Sequence, residues 1–261
     1  MKISQVPIFA AVPTSLFLAP TLLSPSSPLP SLLSPSNSAS DNVAMLWKAS
    51  APHPIQTISF PISIAQSAHV AGYTYSWGII FEGTDKFCGV SLEPRPDADG
   101  KPVMRVSLIS QVKGTTTTDS NCHLIEPDNG VLCTVDLSAP YSDAFVLEMA
   151  NLIINDGGST TWTAAFVDMT TGNRVHIGTY TLPTGVGALR DLFSGSLTYV
   201  WEEPGEHPCS ELKRTQVAFL DPLLPGGAST FIFAFLSRTC VGNDGSVVRW
   251  IGDGINVQLG F

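Results

Sequence analysis

Along most of the chain, apolar residues recur at every second position in short runs, with polar residues between them. In GYTYSWGIIF (72–81), Tyr73, Tyr75, Trp77, Ile79 and Phe81 share one parity and Thr74, Ser76, Gly78 and Ile80 the other, which on a strand means opposite faces. In TTWTAAFVD (160–168), Trp162 and Phe166 alternate with threonines in the same way. Similar runs occupy 55–64, 87–92, 103–112, 130–137, 144–154, 174–182, 196–203, 214–220, 229–239 and 255–261. Their connectors carry Asp-Gly, Asn-Asp-Gly, Pro-Gly and Thr-Gly-Asn, which make turns rather than helix caps. After residue 65 no stretch holds a helical period over three turns, and only GVGALRDLF (185–193) reads as one short helix. The pattern predicts an all-β chain, an antiparallel β-sandwich or jelly roll of roughly twelve short strands with little helix.

The first forty residues depart from this pattern. Lys2 precedes an apolar run, a Pro/Ser stretch follows, and Ser38-Ala39-Ser40 supplies small residues for cleavage, as in a secretory signal. Pro7, Pro13 and Pro20 interrupt the run and argue against a membrane-spanning helix. The alternative is a disordered Pro/Ser tail on a cytosolic protein. The organisation expected is a signal peptide and leader over 1–41 and one sandwich domain over 42–261, a secreted protein with no membrane insertion once the signal is removed.

Composition narrows the partners. Hydrophobic residues make up 44% of the chain and charged ones 13%, so a large core is available. A net charge of −9 without a Lys/Arg run excludes nucleic acid and anionic membrane surfaces as natural targets. Five cysteines stand at 88, 122, 133, 209 and 240, without CxxC spacing or a His/Cys ladder for zinc. In an oxidising compartment they make two bridges and one free thiol, and several connectivities satisfy that count. The favoured pairing is Cys122 with Cys133, flanking the turn signal Pro127-Asp128-Asn129-Gly130, and Cys209 with Cys240. Cys88, in the apolar run FCGVSL, is then a buried free thiol.

The densest cluster of reactive groups is WEEPGEHPC (201–209). Glu202 and Glu203 point to opposite faces of a strand, so Glu203 and Glu206 are the pair to weigh. A type II turn over Glu203-Pro204-Gly205-Glu206 would bring their α-carbons within about 7 Å, and carboxylates about 5–5.5 Å apart serve retaining glycoside hydrolysis. A tight turn, however, leaves both groups solvated and ionised, whereas that chemistry needs one of them protonated. No Gly-x-Ser-x-Gly, His-Glu-x-x-His or Walker pattern occurs. His176 reads as a surface histidine, and DADGK (97–101) as a hairpin turn because no glutamate stands at the twelfth position of a calcium loop. No metal site or cofactor is expected.

Three segments, GTTTTDSNCHL (114–124), TTWTAAFVDMTTGNRVHIGTYTLP (160–183) and SLTYVWEEPGEHPCSELKRTQVAF (196–219), together resemble a poorly characterised group of exported all-β proteins of fungi and bacteria. The resemblance runs from Tyr73 to Phe261 and implies a concanavalin-like jelly roll with a role in carbohydrate recognition; it carries no catalytic residues. The function expected on this reading is binding of a cell-wall or extracellular polysaccharide by Tyr199, Trp201, Glu203 and Glu206, with Tyr75 and Trp77 as companions. The competing role for the rings of the Tyr73 run is the inter-sheet core. The alternatives are a polysaccharide hydrolase or lyase using Glu203 or Glu206, and a structural or host-interaction protein without a small-ligand site.

Overall fold

The period-two runs form strands that pair antiparallel throughout. In the computed structural model the described residues are 40–261 except 52–53, 127–129, 155–157, 201–208, 238–246 and 261. In chain order the strands are β1 (Ser40–Ser50), β2 (Thr57–Gln66), β3 (Tyr73–Phe81), β4 (Cys88–Ala98), β5 (Lys101–Ser110), β6 (Cys122–Ile125), β7 (Gly130–Leu137), β8 (Ala144–Ile154), β9 (Thr160–Asp168), β10 (Arg174–Leu182), β11 (Leu189–Val200), β12 (Thr215–Leu220), β13 (Ala228–Ser237), β14 (Val247–Trp250) and β15 (Gly254–Leu259). They make an eight-stranded sheet in the order β13-β1-β11-β3-β4-β5-β7-β6 and a seven-stranded sheet in the order β10-β9-β8-β2-β12-β15-β14. The β-sandwich expected from the pattern is thus present, with fifteen strands among the described residues rather than about twelve.

Two differences have local causes. Residues 185–193 are not a helix: after the turn at Gly185 the chain enters β11, whose Leu189, Phe193 and Leu197 are needed inside. The run NVAMLWKAS is a strand the sequence reading did not assign. It pairs β11 on one side and β13 on the other, and buries Val43, Met45 and Trp47. The DADGK segment is the expected hairpin turn, with Asp99 at φ 51° and Gly100 at φ 71°, the left-handed pair that a two-residue hairpin loop requires.

The core lies between the two inner faces. Trp77 is fully buried, stacks on Phe60 at 4.9 Å, and meets Trp47 at 4.7 Å and Phe219 at 5.4 Å. Tyr75 is also fully buried, and its hydroxyl bonds Ser67 and, at 2.7 Å, Thr215. Burial drives that phenol well above its ordinary pKa, against the lowering effect of the two hydroxyl partners. Tyr75 and Trp77 are therefore inter-sheet core, which corrects their expected place beside a ligand. The physical reason is parity: on a strand of a two-layer sandwich, the large apolar set faces the other sheet.

Cys122 and Cys133 stand directly opposite each other on β6 and β7 and are joined by a disulfide. Cys88 is buried and free, and burial pushes its thiol up to about 11 although Ser110 offers a hydrogen bond. Gly178 of β10 sits under the bridge; a Cβ there would meet Cys133 Sγ at 2.5 Å and Cys122 Sγ at 2.7 Å. The bridge is thereby seated against the opposite sheet.

Candidate functional site

The outer face of the eight-stranded sheet carries three transverse rows. The middle row is Ser196, Ser76, Ser91, Ser107 and Thr134, each opposite the next across β11, β3, β4, β5 and β7. Five adjacent strands at a spacing of about 4.8 Å make this hydroxyl row roughly 19 Å long. Ser76 and Ser196 share a 2.6 Å hydrogen bond. Ser107 is buried at 5% exposure and the other four are half-buried, so the row is a floor rather than a crest.

One neighbouring row is apolar or side-chain-free at every strand but β11: Leu46, Ser194, Gly78, Gly89, Ile109 and Leu132 in register, with Ser194 its one polar member. The Phe87 ring lies over its two glycines, within 2.6 Å of a Cβ placed on Gly78 and 3.0 Å of one on Gly89. Only glycine admits the ring there. The row on the other side begins with Thr198 and Thr74 on β11 and β3 and becomes charged over β4, β5 and β7, at Glu93, Arg105 and Asp136. Arg105 grips Asp136 through two bonds of 2.7 and 3.0 Å, and Arg95 pairs with Glu93. The Arg105 hydrogen bonds hold the Asp136 carboxyl below its ordinary pKa. Over β4, β5 and β7 the short hydroxyl side chains lie between an apolar row and a charged one, and this shallow strip is termed the trough.

The middle row contains no carboxylate, imidazole or thiol. A serine hydroxyl becomes a nucleophile only with an adjacent base, so what these residues offer is hydrogen bonding.

The described residues hold two histidine–carboxylate pairs, both elsewhere. His176 Nε2 donates to Asp119 Oδ2 at 2.6 Å, and its Nδ1 lies 3.5 Å from Thr163 Oγ1. This has the order of a triad, but the Thr163 hydroxyl donates to the Gly178 carbonyl at 3.1 Å and so has no proton for the imidazole. Burial pushes the Asp119 carboxyl up, and the bonds from His176 and the Asn121 amide outweigh it and hold the group below its ordinary value. The second pair is His69 with Asp97 at 2.6 Å, on an exposed surface beside the Tyr141 ring. His176 is thus the surface histidine expected from the sequence, and its partner, 57 residues away, is brought to it by the fold. No group of three or more potential metal ligands occurs among the described residues.

Of the other expected site residues, Tyr199 is half-buried at the end of β11, packed on Tyr73 at 4.6 Å. Trp201, Glu203, Glu206 and the Cys209–Cys240 pairing lie outside the described residues or side chains. The hydroxyl row was missed. Its only trace in the sequence is a serine at an outward position in each of three consecutive runs, YTYSWG, GVSLEP and MRVSLI, and register alone brings them opposite one another.

No known family profile matches the chain, and no curated protein matches it. Among solved structures it is similar to scytalido-glutamic peptidase with a peptide-based transition-state analogue, at 11% identity over 83% of this chain and 97% of that one, TM-score 0.45. SCP-B, a member of the eqolisin family of peptidases solved with the tripeptide Ala-Ile-His, matches at 11% identity over 85% and 98%, TM-score 0.41. A CBM2 module of the evolved Dit of Lactobacillus casei BL23 phage J-1 matches at 8% identity over 66% of each chain, TM-score 0.22. These likenesses transfer no residue role. The expectation of a carbohydrate-binding face that includes Tyr75 and Trp77 is corrected on the geometry: both rings are fully buried in the inter-sheet core.

Proposed function

We propose that the trough binds an extended polypeptide segment laid across β11, β3, β4, β5 and β7. The observation that carries this reading is the register of five hydroxyls on five adjacent strands. An extended chain rises about 3.3 Å per residue, so the floor accommodates about six residues. Each hydroxyl both donates and accepts, matching the alternating N–H and C=O groups of a peptide backbone without selecting a side chain. The Phe87 rim receives apolar side chains, and the Arg105–Asp136 and Arg95–Glu93 rim receives polar ones. Secretion belongs to the same proposal: a disulfide at Cys122–Cys133 suits an oxidising compartment.

The test is fluorescence polarisation of the full chain against a library of labelled linear peptides, with each binder then analysed by mass spectrometry. Saturable binding of intact peptides, lost in Ser91→Tyr, supports the reading. No binding, or binding indifferent to Ser91→Tyr, overturns it. Cleaved peptides would make the protein a peptidase, with its chemistry outside the hydroxyl row.

A further inference from the structure

The chain is acidic overall, at −9, yet one cavity reverses the sign. Among the described residues Lys48, Arg95, Arg105 and Arg174 are each ion-paired with a carboxylate. Among the described residues no ion pair engages Lys86, Lys113 or Arg190, and these three line a single open cavity of about 560 Å³ with Gly83, Thr84, Asp85, Val112, Pro183 and Val186. Asp85 is the one acid in that lining, which leaves an excess of two positive charges.

The cavity is assembled from three connections at one end of the sandwich, and their backbones are tied together. The β3–β4 and β10–β11 connections exchange the bonds Glu82 N to Ala188 O and Gly187 N to Glu82 O, each 2.8 Å. Gly83, at φ 78°, presses so closely on the Gly185 carbonyl that a Cβ would come within 2.4 Å of it. Arg190 Nη2 donates to Thr84 O at 3.4 Å. Lys113 is placed by the β5–β6 turn, in which Thr115 Oγ1 donates to Val112 O at 2.6 Å, and Gln111 N donates to Phe87 O at 2.9 Å. The cations thus converge on a scaffold already ordered, which lowers the entropic cost of binding. Like charges held together without carboxylate partners repel one another, and an anion in the cavity relieves that repulsion.

We propose that this cavity is an anion site for the phosphate or sulfate group of a small molecule. Its volume lies within the range of small-molecule pockets, about 300–1,000 Å³, larger than a bare oxyanion needs, and the guanidinium of Arg190, which among the described residues has no carboxylate partner and bonds only the Thr84 carbonyl, provides further donors for such a group. The site lies at the strand ends and is independent of the peptide-binding reading.

The test is calorimetric titration of the full chain with inorganic pyrophosphate in a phosphate-free buffer at low ionic strength. Saturable binding is expected, weakened at least about tenfold in Lys113→Gln and in Arg190→Gln and steeply reduced by salt. Lys101→Gln, at the exposed β4–β5 turn, removes the same charge elsewhere and should leave the affinity within about twofold. Absence of saturable binding, or an equal loss in Lys101→Gln, overturns the site. Near-UV circular dichroism of each variant excludes misfolding as the cause of lost binding.

Discussion

The hydroxyls of Ser76 and Ser196 lie 2.6 Å apart across β3 and β11, outside the sheet whose inner face buries Trp77. That bond is local to two strands, but Ser91, Ser107 and Thr134 extend the same row across three more. Replacing Ser76 with Ala removes one partly exposed hydrogen bond and should cost about 0.5–1.5 kcal/mol. Ser91→Tyr should leave the melting temperature within a few degrees and abolish peptide binding by filling the floor. A large loss of stability in Ser91→Tyr, measured by urea denaturation, would place that residue in the core instead.

Gly78→Ala tests the rim. Its Cβ would come within 2.4 Å of Ser194 Oγ and 2.6 Å of the Phe87 ring. The ring must lift, so about 1–3 kcal/mol of destabilisation is expected, together with weaker binding of peptides carrying apolar side chains. Unchanged stability by thermal denaturation would mean that Phe87 does not rest on the glycines.

Trp77→Ala distinguishes core from platform. Removing a fully buried indole that touches Trp47, Phe60 and Phe219 should cost about 3–5 kcal/mol in chemical denaturation. A cost near zero would contradict the inter-sheet placement.

Reduction tests the bridge. Opening Cys122–Cys133, which closes a loop of separation 11, should cost about 3 kcal/mol. Gly178→Ala should destabilise the oxidised protein by crowding both sulfur atoms. Cys88, buried and with a thiol pushed up to about 11, should resist a thiol reagent at neutral pH until the protein is unfolded.

Asp119 gives the acid limb a defined sign. Its folded pKa lies below the ordinary 3.8, so its contribution is fully present above the unfolded value and is lost as pH falls through the folded one. Asp136, held down by Arg105, acts in the same direction. Asp119→Asn should lower stability at pH 7 and flatten its decline below pH 4. A decline of unchanged steepness in acid denaturation would show that the His176 contact does not stabilise the fold.

Period-two alternation by itself determined that the chain is all-β, that Trp162 and Phe166 share a face, and that Asp99-Gly100 turns a hairpin, because parity and turn chemistry act over a few residues. The Cys122–Cys133 bridge was legible for the same reason: a turn signal lies between its cysteines. Whether Tyr75 and Trp77 face a ligand or another sheet was not legible, since parity identifies a face without saying what covers it. The hydroxyl row, the His176–Asp119 pair and the convergence of Lys86, Lys113 and Arg190 were decided by tertiary structure alone. Each depends on strand order and register between segments far apart in the chain, and those are set by the packing of two whole sheets rather than by any local preference.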